Sequence, residues 1–206
     1  MAAERGSPAL LLAVAALLAT ALLAGIHHGT RERIAAREHT RALERLAAVL
    51  PPSLYDNDPL ADTALVHDAR LGPGARTVWR ARRGGIGTAV ALTVTAPDGY
   101  AGPIELLVGI DRAGHVLGVR VVAHAETPGL GDPIELRRSD WVLGFDGRSL
   151  AEPPPPRWTV RRDGGDFDQF TGATITPRAV VTAVARALAV HAERGESLYA
   201  LPAQPH

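Results

Sequence analysis

The chain has 206 residues, 46% of them hydrophobic and 4% aromatic, with 22 basic and 22 acidic side chains and a formal net charge of zero. That length suits one domain with appendages, and the charge balance leaves no basic footprint for nucleic acid. The absence of cysteine excludes disulfides, Cys-ligated zinc and iron–sulfur clusters within the chain.

Residues 1–8 are read as a short tail. Ala9 to Ile26 then runs without a charge, and Thr20 is its only clearly polar side chain. As a helix at about 1.5 Å per residue it would span roughly 27 Å, near the thickness of a bilayer core. Residues 9–26 are therefore expected to form a transmembrane helix. A cleaved signal peptide is the competing reading, but its small-residue site, Ala19-Thr20-Ala21, lies inside the apolar run rather than after it. Only Arg5 and the amino terminus are positive before the span, whereas Arg31, Arg33 and Arg37 follow it. The positive-inside rule, applied literally, would put the bulk of the chain in the cytoplasm. His27 and His28 are adjacent, so on a helix they diverge by about 100° and read as interfacial polar residues rather than metal ligands.

Thr30 to Leu50 is rich in Ala, Arg, Glu and Leu, all good helix formers, and Pro51-Pro52 stops it. Residues 27–52 are expected as a stalk helix. Leu43, Leu46 and Leu50 share one face with Ile34 further up, and Glu38, Arg41 and Arg45 lie opposite. The pattern suits a stalk or packing helix continuing from the membrane, with a docking helix for a partner subunit as the second reading.

Residues 53–195 carry the folded domain. Asn57 to Gly74 is turn-rich, Arg76 to Arg83 reads as a short strand, and Gly84-Gly85 breaks it. Gly87–Ala96 alternates and is rich in Val and Thr, Ile104–Asp111 reads as a second strand, and His115–His124 as a third with Leu117, Val119, Val121 and Ala123 on one face. Their connections, Pro97-Asp98-Gly99 and Asp111-Arg112-Ala113-Gly114, are turn signals, so the three make an antiparallel meander. A Gly-rich loop, His124 to Gly131, follows. Asp132-Pro133-Ile134-Glu135 then reads as a capped helix start, with the helix running to about Phe145 and Ile134, Trp141 and Phe145 on one face. Pro153–Pro156 is a stiff connector and Trp158–Arg161 a short strand. Thr176 is read as the N-cap, and Pro177 as the first residue, of an amphipathic helix ending near Arg194. Its apolar side carries Val180, Ala183, Val184, Ala187, Leu188 and His191, the last as a satisfied boundary histidine. Residues 196–206 are expected to be a loose tail.

Just before that helix comes Asp168-Gln169-Phe170-Thr171-Gly172-Ala173-Thr174. Helix N-termini present unpaired N–H groups and the positive end of a dipole, so they stabilise anions. Thr174 sits two residues before the expected cap, and Gly172 and Ala173 leave room for close approach of a ligand. A plain turn before a helix has the same residue types.

This stretch resembles the covalent flavinylation motif Asp-x-x-Ser/Thr-Gly-Ala-Thr, in which a flavin transferase joins FMN through its phosphate to the last Thr. Two further stretches are similar to the same family. Gly99 to Gly109 resembles its Gly-Tyr-x-Gly segment, and His124-Ala125-Glu126-Thr127-Pro128-Gly129-Leu130-Gly131 resembles its His-x-Glu-Thr-Pro-Gly-Leu-Gly loop. The order of features over roughly residues 8–195 resembles the RnfG family, the G component of the Rnf electron-transport complex. The C component of the sodium-pumping NADH:quinone reductase shares both key motifs but is usually longer.

The resemblance implies an α+β fold: an N-terminal transmembrane helix followed by a small FMN-binding domain with a mainly antiparallel sheet and flanking helices. It implies FMN esterified to Thr174. Thr171, Gly172 and Ala173 would lie along the cofactor chain, Glu126, Thr127, Gly129 and Leu130 against its ring, and Asp168 would serve recognition by the transferase. The implied setting is the bacterial inner membrane with the main domain on the periplasmic side, against the orientation that charge alone gives. The implied partners are the bilayer, the other membrane subunits and the transferase, and the implied role is an electron relay between ferredoxin and NAD coupled to ion movement. The chain lacks a Gly-x-Gly-x-x-Gly turn opening a helix in a βαβ unit, so it is expected to relay electrons rather than act as the dehydrogenase. No metal ligands and no catalytic residues are expected. An anchored binding domain without flavin and a standalone flavoprotein reductase are the other classes open.

Overall fold

The computed structural model describes residues 8–202, except for the side chains of residues 8, 9, 11, 23, 24, 26–35 and 38. The expected tail 1–8 lies almost wholly outside the described residues, as do residues 203–206 and the side chains of His27, His28, Arg31, Arg33, Ile34 and Glu38. The chain divides into two units, Met1–Glu44 and Arg45–His206. Helix α1 runs from Pro8 to Ala47. Among the described residues, no helix is long and apolar enough to cross a membrane; several side chains of the 9–26 stretch are outside that description.

The second unit is built on one five-stranded, wholly antiparallel sheet in the order β1-β2-β3-β4-β5, so each strand pairs with its neighbour in sequence. The strands are β1 (Thr63–His67), β2 (Ala75–Arg83), β3 (Ile86–Ala96), β4 (Ile104–Asp111) and β5 (Val116–Ala123). Side chains alternate across a strand, which sorts β3 and β4 into two faces. Val90, Leu92, Val94, Ile104, Leu106, Val108 and Ile110 enter the main core. Ala89, Ala91 and Leu107 face the other way and meet Leu46, Val49 and Leu50.

Helix α2 (Ile175–Arg194) covers the first face, packing on β3 and β4. Its Val180, Val184 and Leu188 are essentially inaccessible. Burying each contributes about 1.5–3 kcal/mol. The second face is covered by the short segment after α1, which lies backbone-first on the sheet. Gly109 of β4 and Gly118 of β5 are register partners. A Cβ at Gly109 would collide with the Val49 carbonyl oxygen, and one at Gly118 would lie 2.9 Å from the Ala48 oxygen. Two facing glycines thus make the slot that receives residues 48–49. The expected stalk pattern ends here, with Leu46 and Leu50 buried as core residues of the domain.

Several elements differ from the sequence reading. β1 forms within the stretch read as turns, because its five residues pair with β2 over Thr63–His67. The helix expected over 132–145 is instead two separate turns of 3-10 helix, Asp132–Ile134 and Asp140–Phe145. The reason is local: the Asp132 carboxylate accepts from the Gly129 N–H at 2.6 Å, looking back into the loop instead of capping forward, and Ser139 starts the second turn by accepting from the Trp141 N–H. Trp158–Arg161 contributes only one isolated bridge, Val160 to Phe167.

Helix α2 starts earlier than expected. Its first residue is Ile175 and its cap position is Thr174, so Thr176 and Pro177 fall inside the first turn. The described part of the tail, to residue 202, is not loose, since Glu196–Ala200 forms helix α3 with Leu198 and Tyr199 buried. Arg80 explains why. It is 2% exposed; its Nε donates to Asp62 at 2.7 Å and its Nη1 donates to the carbonyls of Tyr199 and Leu201. His191 is buried, but its Nε2 has no hydrogen-bond partner, so the expected satisfied boundary histidine is not observed.

Candidate functional site

The flavinylation-like stretch is fixed by a turn and by aromatic packing. Ala173 N–H donates to the Phe170 carbonyl at 3.1 Å, and Gly172 takes φ +82° in the turn's third position. That left-handed backbone disfavours any residue with a Cβ. Phe170 packs edge-on against Trp141 with ring centroids 5.2 Å apart. The Trp141 indole N–H donates to the Asp168 carbonyl at 2.7 Å. The approach is held by ion pairs as well: Asp163 with Arg178 at 2.6 Å, Asp166 with Arg157, and Asp168 with Arg161 at 3.0 Å.

The turn delivers Thr174 to the cap of α2 with φ −88° and ψ −28°, and its side chain makes no capping hydrogen bond. A cap threonine commonly folds its hydroxyl back onto the helix; this one does not. Just beyond it the N–H groups of Ile175 and Thr176, at the first two helical positions, have no intrahelical acceptor.

The second wall is the loop after β5. His124 sets it: Nδ1 accepts from the Glu126 N–H at 3.0 Å, and Nε2 lies 2.6 Å from Glu135 Oε1. With Nδ1 accepting, the proton sits on Nε2 and is donated to Glu135. Hydrogen bonds from Arg137 and His124 hold the Glu135 carboxyl down at about 2. The loop closes on itself through the Leu130 and Gly131 N–H groups, both donating to the Thr127 carbonyl at 3.1 Å.

Glu126 is 4% exposed. Its Oε2 accepts from the Thr176 hydroxyl at 2.5 Å and its Oε1 from the Ala101 N–H at 3.1 Å. One carboxylate therefore ties the loop, the 99–102 turn and the first turn of α2 together. Gly131 makes this possible, since a Cβ there would stand 2.6 Å from Glu126 Oε2.

These three segments enclose a cavity of about 400 Å³, within the size range of small-molecule sites. Its walls are Tyr100; Glu126, Thr127, Leu130 and Gly131; and Gly172 through Thr176. Tyr100, Leu130 and Ile175 are 69%, 48% and 45% exposed, which gives the mouth an apolar rim. The arrangement can seat a flat, largely apolar group with an anionic tail. A ring would meet the rim side chains, and a phosphate would meet the positive end of α2.

Of the residues singled out from sequence, Thr174, Gly172, Ala173, Glu126, Thr127 and Leu130 come together in this cavity. Thr171 is exposed on the turn, and Gly129, at φ +79°, bends the loop behind the wall. Asp168 is exposed and turned toward Arg161. Gly131, the end of the loop expected against the ring, also lines the cavity, as do Tyr100, Ile175 and Thr176, which were given no site role from sequence. Tyr100 and Gly131 lie inside the motif stretches, and the other two directly follow Thr174. Among the described residues, no group of His, Asp and Glu could hold a metal ion.

Residues 99–189 match the family model described as FMN-binding domain, and residues 7–49 match the one described as RnfG N-terminal region. A Cronobacter sakazakii protein, named as the G component of an ion-translocating oxidoreductase complex, is 52% identical over 176 residues, covering 85% of both chains. The protein of that name from Vibrio cholerae is 50% identical over 196 residues, 94% of this chain and 93% of that one. The Pseudomonas aeruginosa protein of that name is 51% identical over 182 residues, 87% and 85% of the two chains.

Proposed function

The chain belongs to the RnfG family, the G components of ion-translocating oxidoreductase complexes, and from that premise we propose that it is an electron-relay subunit with FMN held covalently on Thr174. One observation carries the reading: three segments distant in sequence converge on a cavity that opens onto a threonine hydroxyl free of any cap role. Bound FMN supplies the redox chemistry; the protein's part is to hold it, orient it and set its surroundings.

Thr174 Oγ1 is the tether. Esterified to the cofactor phosphate, it leaves a diester with about one negative charge, which the N–H groups of Ile175 and Thr176 and the dipole of α2 stabilise. Gly172 keeps side-chain bulk away from the chain of the cofactor. Leu130, Tyr100 and Ile175 offer apolar contact to the ring, and Thr127 a polar one. Asp168, exposed beside Arg161, serves recognition by the flavin transferase. The tether prevents loss of the cofactor in a compartment where free flavin is scarce.

The partners are the other subunits of the complex, whose overall reaction passes electrons between ferredoxin and NAD and moves ions. The 9–26 stretch anchors the chain in the inner membrane, with residues 45–206 on the periplasmic side. Each described apolar side chain from Leu10 to Leu22 is exposed, which is what a helix bathed in lipid has. The Thr20 hydroxyl is satisfied within the helix, donating to the Ala16 carbonyl at 2.8 Å. Protease accessibility of intact spheroplasts tests the sidedness: digestion of the domain is expected, and full protection would reverse the orientation.

The test of the cofactor is intact mass and visible spectrum of the full chain co-expressed with a flavin transferase, beside Thr174→Ala. An added FMN mass in the wild type, absent from the variant, is expected. An unmodified, colourless wild type would return the chain to an anchored binding domain without flavin.

A further inference from the structure

Resting on the flavin seat proposed above, we infer that Glu126 is a positioning and tuning residue: a buried, unneutralised carboxylate in the cavity wall that holds the cofactor's reduction potential low.

Three observations carry this. The first is the hydrogen bonding of the carboxylate. Both oxygens accept from donors, the Thr176 hydroxyl and the Ala101 N–H. Each oxygen thus meets a neutral polar group, and neither meets a cation among the described residues.

The second is the lack of a counter-charge. Glu126 makes no ion pair among the described residues, although most other acidic side chains around the site do. Asp132 meets Arg138, Glu135 meets Arg137, Asp163 meets Arg178 and Asp168 meets Arg161. An unpaired buried charge costs stability. A glutamine of the same shape would still accept from Ala101 N–H and could donate its amide to the Thr176 hydroxyl. Holding the three walls together therefore does not by itself require an acid.

The third is its position. Glu126 lines the cavity itself, and Gly99 and Gly131 close around its carboxylate so tightly that a Cβ on either would lie 2.9 Å or less from one of its oxygens. Water is kept from that side, so the charge is weakly screened and its field reaches into the cavity. Reduction adds negative charge to whatever occupies the seat. A fixed negative charge in the wall opposes that step, as outer groups tune the electronics of other bound redox centres.

The experiment is a spectroelectrochemical titration of the flavinylated full chain as wild type, Glu126→Gln and Thr176→Val, with intact mass and thermal unfolding recorded for each. Glu126→Gln removes the charge and keeps the shape, so its midpoint is expected at a more positive potential. Thr176→Val removes a donor and leaves the charge less compensated, so its midpoint is expected at a more negative potential. A role confined to holding the walls would move both variants the same way. A flavinylated Glu126→Gln with an unchanged or more negative midpoint overturns the inference while the seat stands. A wild type without the added FMN mass overturns the seat and the inference together. If Glu126→Gln does not accumulate in folded form, Thr176→Val decides alone, and an unchanged or more positive midpoint overturns the inference.

Discussion

The Thr176 hydroxyl donates to Glu126 Oε2 across 2.5 Å, joining the first turn of α2 to a loop 50 residues earlier. The bond is buried and is one of only two that the carboxylate receives among the described residues. Thr176→Val leaves that oxygen unsatisfied in a wall closed to water, which costs about 1–3 kcal/mol. Chemical denaturation of the full chain is expected to show this loss, and Thr176→Ser is expected to recover most of it.

Thr174 presents the opposite case. Its side chain caps nothing, so Thr174→Ala is expected to change stability by no more than about 0.5 kcal/mol while abolishing the added FMN mass. Thr174→Ser restores a hydroxyl at the same place and is expected to restore some attachment. A large loss of stability in Thr174→Ala would mean that the hydroxyl has a structural partner.

The slot formed by Gly109 and Gly118 has no spare room. Gly109→Val would drive a side chain into the Val49 carbonyl, and overpacking of this kind costs about 1–3 kcal/mol or more. A midpoint in urea far below the wild-type value is the expected readout. The equivalent change at Gly114, whose surroundings are open, does not collide with anything and is a control for space, though its φ of +91° adds backbone strain of its own.

Acid weakens the fold in two windows. Burial pushes the His191 imidazole below its ordinary value, partly opposed by Asp111. The unfolded chain takes up that proton near pH about 6.5 while the folded chain does not, so stability falls as pH drops below that point. His191→Leu is expected to flatten this part of a plot of Tm against pH. Glu135 behaves differently, with its folded carboxyl held down at about 2 by Arg137 and then His124. Its contribution is full above the unfolded value of about 4.3 and is lost as pH falls from there toward 2. Glu135→Gln is expected to remove that second slope.

The Tyr199 hydroxyl is buried without a partner, and burial pushes its ionisation up to about 12. Its ring fills the space over Gly87 and lies under Arg112, 5.7 Å from the guanidinium. Tyr199→Phe keeps the ring and removes the orphaned hydroxyl. Stability is expected to be unchanged or to rise by about 1 kcal/mol, measured by thermal unfolding.

Much of this was legible in the residues themselves. The Val- and Thr-rich run over 87–96 and the apolar run over 104–111, each bounded by turn residues, specified strands, short turns specified their antiparallel order, and the 3.6-residue stripe from Val180 to Leu188 specified the helix that covers them. These are local signals, set by which side of the backbone each side chain occupies. The motif stretches likewise marked Thr174 and the 124–131 loop before any geometry was known.

Tertiary structure decided the rest, because the deciding partners are far away in the chain. β1 is a strand because β2 lies beside it, and its own five residues signal little. Residues 132–145 are the exception: they break into two short turns through a local contact, Asp132 bonding back to Gly129 three residues earlier, which the capping pattern did not signal. Residues 196–201 fold onto the domain because Arg80, buried in β2, takes the carbonyls of Tyr199 and Leu201. The site obeys the same logic. Sequence named the residues that carry the chemistry, but only folding set Glu126 against Thr176, closed Gly131 over both and left the Thr174 hydroxyl uncapped at the mouth of the cavity.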